Sequence, residues 1–195
     1  MYWTNIQGLI PKIFKCGFCG NPLSSEKGYY ATESSHVGSK LIASIYICHT
    51  CGNPTYFDKN GNQSPGALIG NNINHIPDQN IEKLYKEARI CFSSGAYTSS
   101  VMCCRKLLMN ISVNQGASEG KNFVEYVNYL NDNNYIPPNG KEWVDSIRKL
   151  GNEANHKIEF KSKEDAIRIA TFIEMLLRFI YELPGIMNDT QNKSG

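Results

Sequence analysis

Two cysteine pairs constrain this chain more than any other feature. Cys16-Gly-Phe-Cys19 and Cys48-His-Thr-Cys51 are CxxC motifs separated by 28 residues. Each such loop presents two thiolates to one point, and four sulfurs at about 2.3 Å from an ion make a closed tetrahedral zinc site. A glycine follows the second cysteine of each pair, Gly20 and Gly52, and permits the tight turn that a knuckle of this kind needs. Between the pairs, Lys27–Thr32 and Leu41–Cys48 are rich in β-branched and aromatic residues and read as strands. So small a unit buries little apolar surface, and a structural metal supplies on the order of 10 kcal/mol. The expectation is a β zinc ribbon over residues 1–60, with Cys16, Cys19, Cys48 and Cys51 holding one structural Zn²⁺ per chain.

The remaining cysteines call for a different explanation. Seven is an odd number, and the start Met1-Tyr-Trp-Thr-Asn-Ile-Gln-Gly lacks the basic and apolar regions of a secretion signal. A disulfide framework is therefore not expected, and a cytoplasmic location is. Cys91, Cys103 and Cys104 fall inside helical patterns and read as small hydrophobes; adjacent Cys103 and Cys104 point to different sides of a helix. His49 sits inside the second knuckle, where intervening positions face solvent. His36 lies in a polar loop and would be needed as a ligand only if a thiol were missing.

With 41% hydrophobic and 19% charged residues, the chain has the composition of a folded protein. No apolar run reaches the roughly 18 residues that cross a bilayer, so no membrane partner is expected. The net charge is only +2, and all of it lies before residue 75. Neither half is a polycation, so contact with nucleic acid must be local rather than a whole-surface attraction.

Residues 58–77 are crowded with Gly, Asn and Pro, and 61–77 read as a linker in which His75 is a solvated loop residue. The period then becomes helical. A first helix is expected from about Asp78 to Ser94, with Ile81, Leu84, Tyr85, Ala88, Cys91 and Phe92 on one face and Gly95 ending it. A second spans about Ala96–Asn114, a third about Asn122–Asn131 and a fourth about Lys141–His156. Ser162-Lys-Glu-Asp165 reads as a capping box that opens a fifth helix, continuing to about Leu183 before Pro184. That helix is apolar over much of its surface, which places it centrally or at an oligomer contact. The fold class is thus α+β: a small β ribbon, then an all-α bundle of about five helices over residues 78–187, with a disordered tail at 188–195.

The fourth helix carries the one row suited to chemistry. At about 100° per residue, Trp143, Ile147, Leu150 and Ala154 make a buried stripe, and Arg148, Asn152 and His156 line the opposite flank. Metal-free RNA cleavage suits such a row. Imidazole exchanges protons near neutrality, guanidinium neutralises phosphate oxygens, and a carboxamide orients either of them. A solvated flank with a histidine favoured by the helix dipole is the plain alternative.

A family resemblance bears on that choice. Ala88-x-x-Cys-Phe-x-x-Gly95-Ala-Tyr-x-x-Ser-Val-Met-x-Cys-Arg105, then Ile147-Arg148-Lys-Leu-Gly151-Asn152-Glu-Ala-Asn-His156, and the closing Glu164-Asp165-Ala…Phe172…Leu176-Leu177, resemble the family known as domain of unknown function 4145. The likeness covers roughly residues 78–184. It implies kinship with the HEPN superfamily of helical bundles found in prokaryotic defence, restriction and toxin systems. Many of those act as dimers and cut RNA through an Arg-x4–6-His motif, whose last two places Asn152 and His156 would occupy. Gly151 stands where the arginine usually is, the nearest arginine being Arg148, and Met109 stands where relatives often carry Glu. The resemblance with these departures implies a HEPN-like, nucleic-acid-associated binding or regulatory module, the alternative being a metal-independent endoribonuclease using Arg148, Asn152 and His156 at a dimer interface. Its expected partners are a second copy, RNA or another nucleic acid, and a larger effector protein. Phe18, Tyr29, Tyr30, Tyr46 and Tyr56 are the ribbon's candidates for stacking on bases.

Overall fold

The computed structural model describes residues 2–35, 38–137, 140–150 and 159–192. The chain is α+β, with an antiparallel sheet followed by a helical region. It divides into two compact units, Met1–Ile69 with Ser93–Gly95, and Gly70–Phe92 with Ala96–Gly195.

The first unit is a five-stranded antiparallel meander, β1 (Gln7–Lys15), β2 (Pro22–Ser35), β3 (Gly38–Ile47), β4 (Pro54–Asp58) and β5 (Gln63–Ser64), paired in chain order. β2 and β3 run further than their apolar residues suggested. The ladder continues from Thr32↔Leu41 to Ser35↔Gly38 through a segment expected as loop, because ladder bonds use the backbone whatever the side chain. His36 itself lies outside the described residues. Gly28 is required where β2 crosses β3, since a Cβ there would fall 1.8 Å from the Ile45 carbonyl oxygen. Phe14, Leu23, Tyr46 and Phe57 form the core together with the thiols of Cys16 and Cys48. Its aromatic rings meet edge to face, Phe14 and Tyr46 lying 5.3 and 5.7 Å from Phe57. The meander has a topological consequence: its first and third turns fall at the same end, so residues 16–21 and 48–53 become neighbours.

The second unit holds α1 (Gln79–Ser93), α2 (Tyr97–Asn114), α3 (Phe123–Asp132), α4 (Lys141–Lys149), α5 (Lys163–Leu177) and α6 (Leu183–Asn192). Gly95, at φ +77°, breaks α1 from α2 as its left-handed conformation requires. Val101, Leu107, Leu108 and Ile111 of α2 and Phe172, Ile173, Leu176 and Leu177 of α5 are fully buried, which makes α2 and α5 the central pair. The capping box opening α5 is formed: the Ser162 hydroxyl accepts from the Asp165 amide while the Asp165 carboxylate accepts from the Ser162 amide. Asn122 and Glu125 make a second box at α3.

Two expected boundaries shift. Pro184 does not end the fifth helix, and residues 188–192 are not a frayed tail, because α5 passes through a π turn at Arg178–Glu182 into α6. Within an α-helix the Pro184 ring would strike the Ile180 carbonyl; the widened π turn just before it relieves that clash. Residues 61–77 are also more than a tether. β5 pairs with β4, Leu68 and Ile73 are buried, and positive φ at Gly61, Gly70 and His75 turns the backbone. Gly and Asn there supply tight turns, not slack.

Candidate metal centre

Both CxxC loops adopt one hydrogen-bond pattern. The Cys16 amide donates to the Asn21 carbonyl at 3.0 Å and the Gly20 amide to the Cys16 carbonyl at 3.0 Å; Cys48 to Asn53 at 3.0 Å and Gly52 to Cys48 at 2.8 Å repeat it. Gly20 and Gly52 take φ values of +75° and +72°, the left-handed turn that a β-carbon disfavours. Two matched knuckles thus face each other at one end of the meander.

The structure brings all four sulfurs together, every pair within 4.8 Å. Cys16 Sγ lies 3.7 Å from Cys51 Sγ, and Cys19 Sγ 3.8 Å from Cys48 Sγ. A tetrahedron with sulfur about 2.3 Å from its centre has edges of about 3.8 Å, so both separations fit one ion accepting four thiolates. Sulfur also receives donors. The Phe18 amide lies 3.4 Å from Cys16 Sγ, and the Asn53 side-chain amide 3.4 Å from Cys51 Sγ. Such bonds orient ligand sulfurs and spread their charge.

Burial grades the four thiols. Cys16 and Cys48 are buried, Cys19 is half-buried and Cys51 exposed. Burial pushes the Cys16 thiol up, partly offset by the amides of Cys19 and Phe18, and pushes Cys19 up to about 12. At Cys51 burial acts the same way, but the Asn53 backbone and side-chain amides and the neighbouring thiols outweigh it, bringing Cys51 down to about 7. Four thiolates repel one another strongly in so small a volume, and a divalent cation at their centre reverses that balance and displaces the protons.

Other singled-out residues lie apart from this centre. His49 is exposed and outside the sulfur cluster. Cys104 is fully buried and its thiol pushed up by burial, whereas Cys103 is half-buried and pushed up to about 11 by burial and the nearby Cys91 thiol. Asn152, His156 and Ala154 lie outside the described residues. Arg148 is half-buried, and its guanidinium is engaged within the helical unit: Nη1 donates to Asp145 at 2.7 Å and Nε to the Asn128 side chain at 2.8 Å. The buried stripe of α4 centres on Val144, Ile147 and Leu150, with Trp143 half-buried edge-on to Phe172.

The sequence reading missed two residues of consequence. Trp3 donates from Nε1 to the Gly52 carbonyl at 2.7 Å and so braces the second knuckle from the N-terminal segment. Arg89, only 4% exposed, donates to the Asn72 side chain at 2.7 Å and to the Gly70 carbonyl at 3.3 Å, with its guanidinium 5.4 Å from the centre of the Tyr85 ring. Arg89 follows Ala88 directly in the apolar pattern of α1, where a charge normally marks the solvent side. The only hint was the run of Asn residues that becomes its partner.

A family model matches residues 86–193, more than half of the chain, and is described as domain of unknown function (DUF4145). The chain belongs to that family. No curated protein and no solved structure matches it. The DUF4145 match begins inside α1 and ends beyond α6, so it takes in most of the helical unit and leaves all four knuckle cysteines outside. Among the described residues, no helix is long and apolar enough to cross a membrane.

Proposed function

We propose that this DUF4145 chain is a zinc-stabilised, non-catalytic binding module of a prokaryotic defence or restriction system, acting on nucleic acid as a homodimer. One observation carries the metal: four sulfurs within 4.8 Å of one another on two matched knuckles, with Cys16–Cys51 and Cys19–Cys48 at the 3.7 and 3.8 Å of a tetrahedral edge. Zinc is the ion of choice for an all-thiolate tetrahedral donor set, and four protein ligands leave no open position for a substrate, so its role is structural. Cys16, Cys19, Cys48 and Cys51 hold it, and Phe18, Asn53 and Trp3 orient the loops.

The nucleic-acid reading is supported by the aromatic surface of the first unit. Phe18, Tyr30 and Tyr56 are 42%, 51% and 43% exposed, and bases stack on such rings without sequence preference. Tyr46 is removed from the candidates, being buried with its hydroxyl on the Ile10 carbonyl. The non-catalytic reading is supported by Arg148, whose charge is already neutralised by Asp145 and whose Nε is taken by Asn128. The HEPN-like kinship and the defence setting rest on the sequence resemblance.

The test has two arms. Elemental analysis of the purified chain is expected to give one zinc per chain, lost in Cys16→Ser. Fluorescence anisotropy with single-stranded RNA is expected to show binding that weakens several-fold in Phe18→Ala or Tyr56→Ala and is unchanged in His156→Ala, each stacked base contributing about 1–3 kcal/mol. RNA cleavage abolished by His156→Ala would refute the non-catalytic reading, and a metal-free folded chain the zinc assignment.

A further inference from the structure

The core of the first unit repeats one pattern on three strands. Phe14 on β1, Tyr46 on β3 and Phe57 on β4 are buried together, their ring centroids 6.1, 5.3 and 5.7 Å apart. Side chains on a strand return to the same face every second residue. One such step toward the knuckles leads from Phe14 to Cys16, from Tyr46 to Cys48 and, because β4 runs the opposite way, from Phe57 back to Thr55. All three are 0% exposed. Two of them are ligand sulfurs. The third is a hydroxyl at the same depth, and among the described residues Thr55 Oγ1 has no hydrogen-bond partner. Burying an unpaired hydroxyl is costly, and valine would fill the same space at no such cost, so a threonine here asks for an acceptor.

The pairing of β3 with β4 points to one sulfur. Thr55 lies directly opposite Tyr46, and Phe57 opposite Ser44. Tyr46 nevertheless meets the Phe57 ring, two residues along β4, at 5.7 Å, so the close diagonal runs in that sense. Two residues nearer the knuckles, the same diagonal joins Cys48 to Thr55. Cys48 is also the sulfur with most need of a donor. The Phe18 amide serves Cys16 and the Asn53 side-chain amide serves Cys51, whereas Cys48 Sγ faces the Cys19 thiol at 3.8 Å. When a metal displaces the protons, that contact becomes one between two thiolates, and Cys48 is too deep for water to spread its charge.

We propose that Thr55 is a positioning residue of the metal centre, its hydroxyl donating a hydrogen bond to the Cys48 thiolate. The inference rests on the zinc reading above and deepens it. A neutral thiol is a weak acceptor and a thiolate a strong one, so the bond forms as the metal takes the place of the Cys48 proton. It lowers the energy of the sulfur lone pairs and holds Cys48 at its corner of the tetrahedron.

Competition between the full zinc-loaded chain and a chromogenic chelator tests it. Thr55→Val, nearly the same in shape, should bind zinc about tenfold more weakly, and Thr55→Ser, which keeps the hydroxyl, should stay close to the unaltered chain. Cobalt in place of zinc gives a signature that packing alone would not move. Without the hydrogen bond the sulfur lone pairs rise, so the thiolate-to-cobalt charge-transfer band should shift to longer wavelength in Thr55→Val and stay in place in Thr55→Ser. In the unaltered chain loaded with an NMR-active cadmium isotope, the Thr55 hydroxyl proton should exchange slowly and couple to the metal through Cys48, whether or not the variants fold. Unchanged zinc affinity with an unmoved cobalt band in Thr55→Val overturns the proposal, and so does the absence of that coupling if the variants misfold. An unaltered chain that takes up no zinc removes the zinc reading and this inference together, whereas a zinc-loaded chain indifferent to Thr55 removes this inference alone.

Discussion

Removing the metal should unfold the first unit and leave the helical unit standing. The apolar core of the first unit rests on four large side chains, Phe14, Leu23, Tyr46 and Phe57, each 7% exposed or less. At roughly 1.5–3 kcal/mol per buried side chain they contribute about 6–12 kcal/mol. A structural zinc contributes about 10–16 kcal/mol. Net domain stabilities are only about 5–15 kcal/mol, so losing the larger contribution exceeds the margin. Two tryptophans make this measurable, because the chain has one in each unit. Trp3 bonds to the knuckle at Gly52, and Trp143 packs on Phe172 in the helical core. In a Trp143→Phe background, chelation or Cys48→Ser should shift the Trp3 emission to the red; in a Trp3→Phe background, the same treatment should leave Trp143 emission and helical circular dichroism in place. Metal-free protein, verified by elemental analysis, with unshifted Trp3 emission and full amide protection in β3 would refute the reasoning.

Three further outcomes follow from particular contacts. Arg89→Ala leaves Asn72 and the Gly70 carbonyl without their charged donor and should cost about 2–4 kcal/mol in urea unfolding of the helical unit; a change under 0.5 kcal/mol would contradict the buried network. Gly185→Ala, which normally gains about 1 kcal/mol in a helix, should here destabilise, since its Cβ meets the His75 ring; in a His75→Gly background the usual gain should return, and a gain in both backgrounds would disprove the close packing. The Asn62 side chain and the Asn62 and Asn60 amides hold the Asp58 carboxyl below its ordinary 3.8, so its contribution is complete at neutral pH and is lost as pH falls below that value. NMR titration of Asp58 should show the lowered midpoint, and Asn62→Ala should return it toward 3.8.

Much of the architecture was legible because it depends on near neighbours in the chain. The CxxC spacing and its trailing glycines dictate two knuckles, Ser162 and Asp165 dictate a capped helix start, and Gly95 dictates a break between α1 and α2. The α+β order, ribbon first and helices after, follows from where the hydrophobic period changes from about two to about 3.6. What the sequence by itself could not decide depends on groups far apart along the chain. That four sulfurs come within 4.8 Å of one another results from a meander that returns its first and third turns to one end. Arg89 is buried because residues 70–72 come back to meet it, Arg148 is occupied because Asn128 reaches it from α3, and Pro184 sits in a helix because a π turn makes room. Local propensity reads one residue against its neighbours, whereas burial, pairing and charge compensation are settled only when the folded chain sets distant residues side by side.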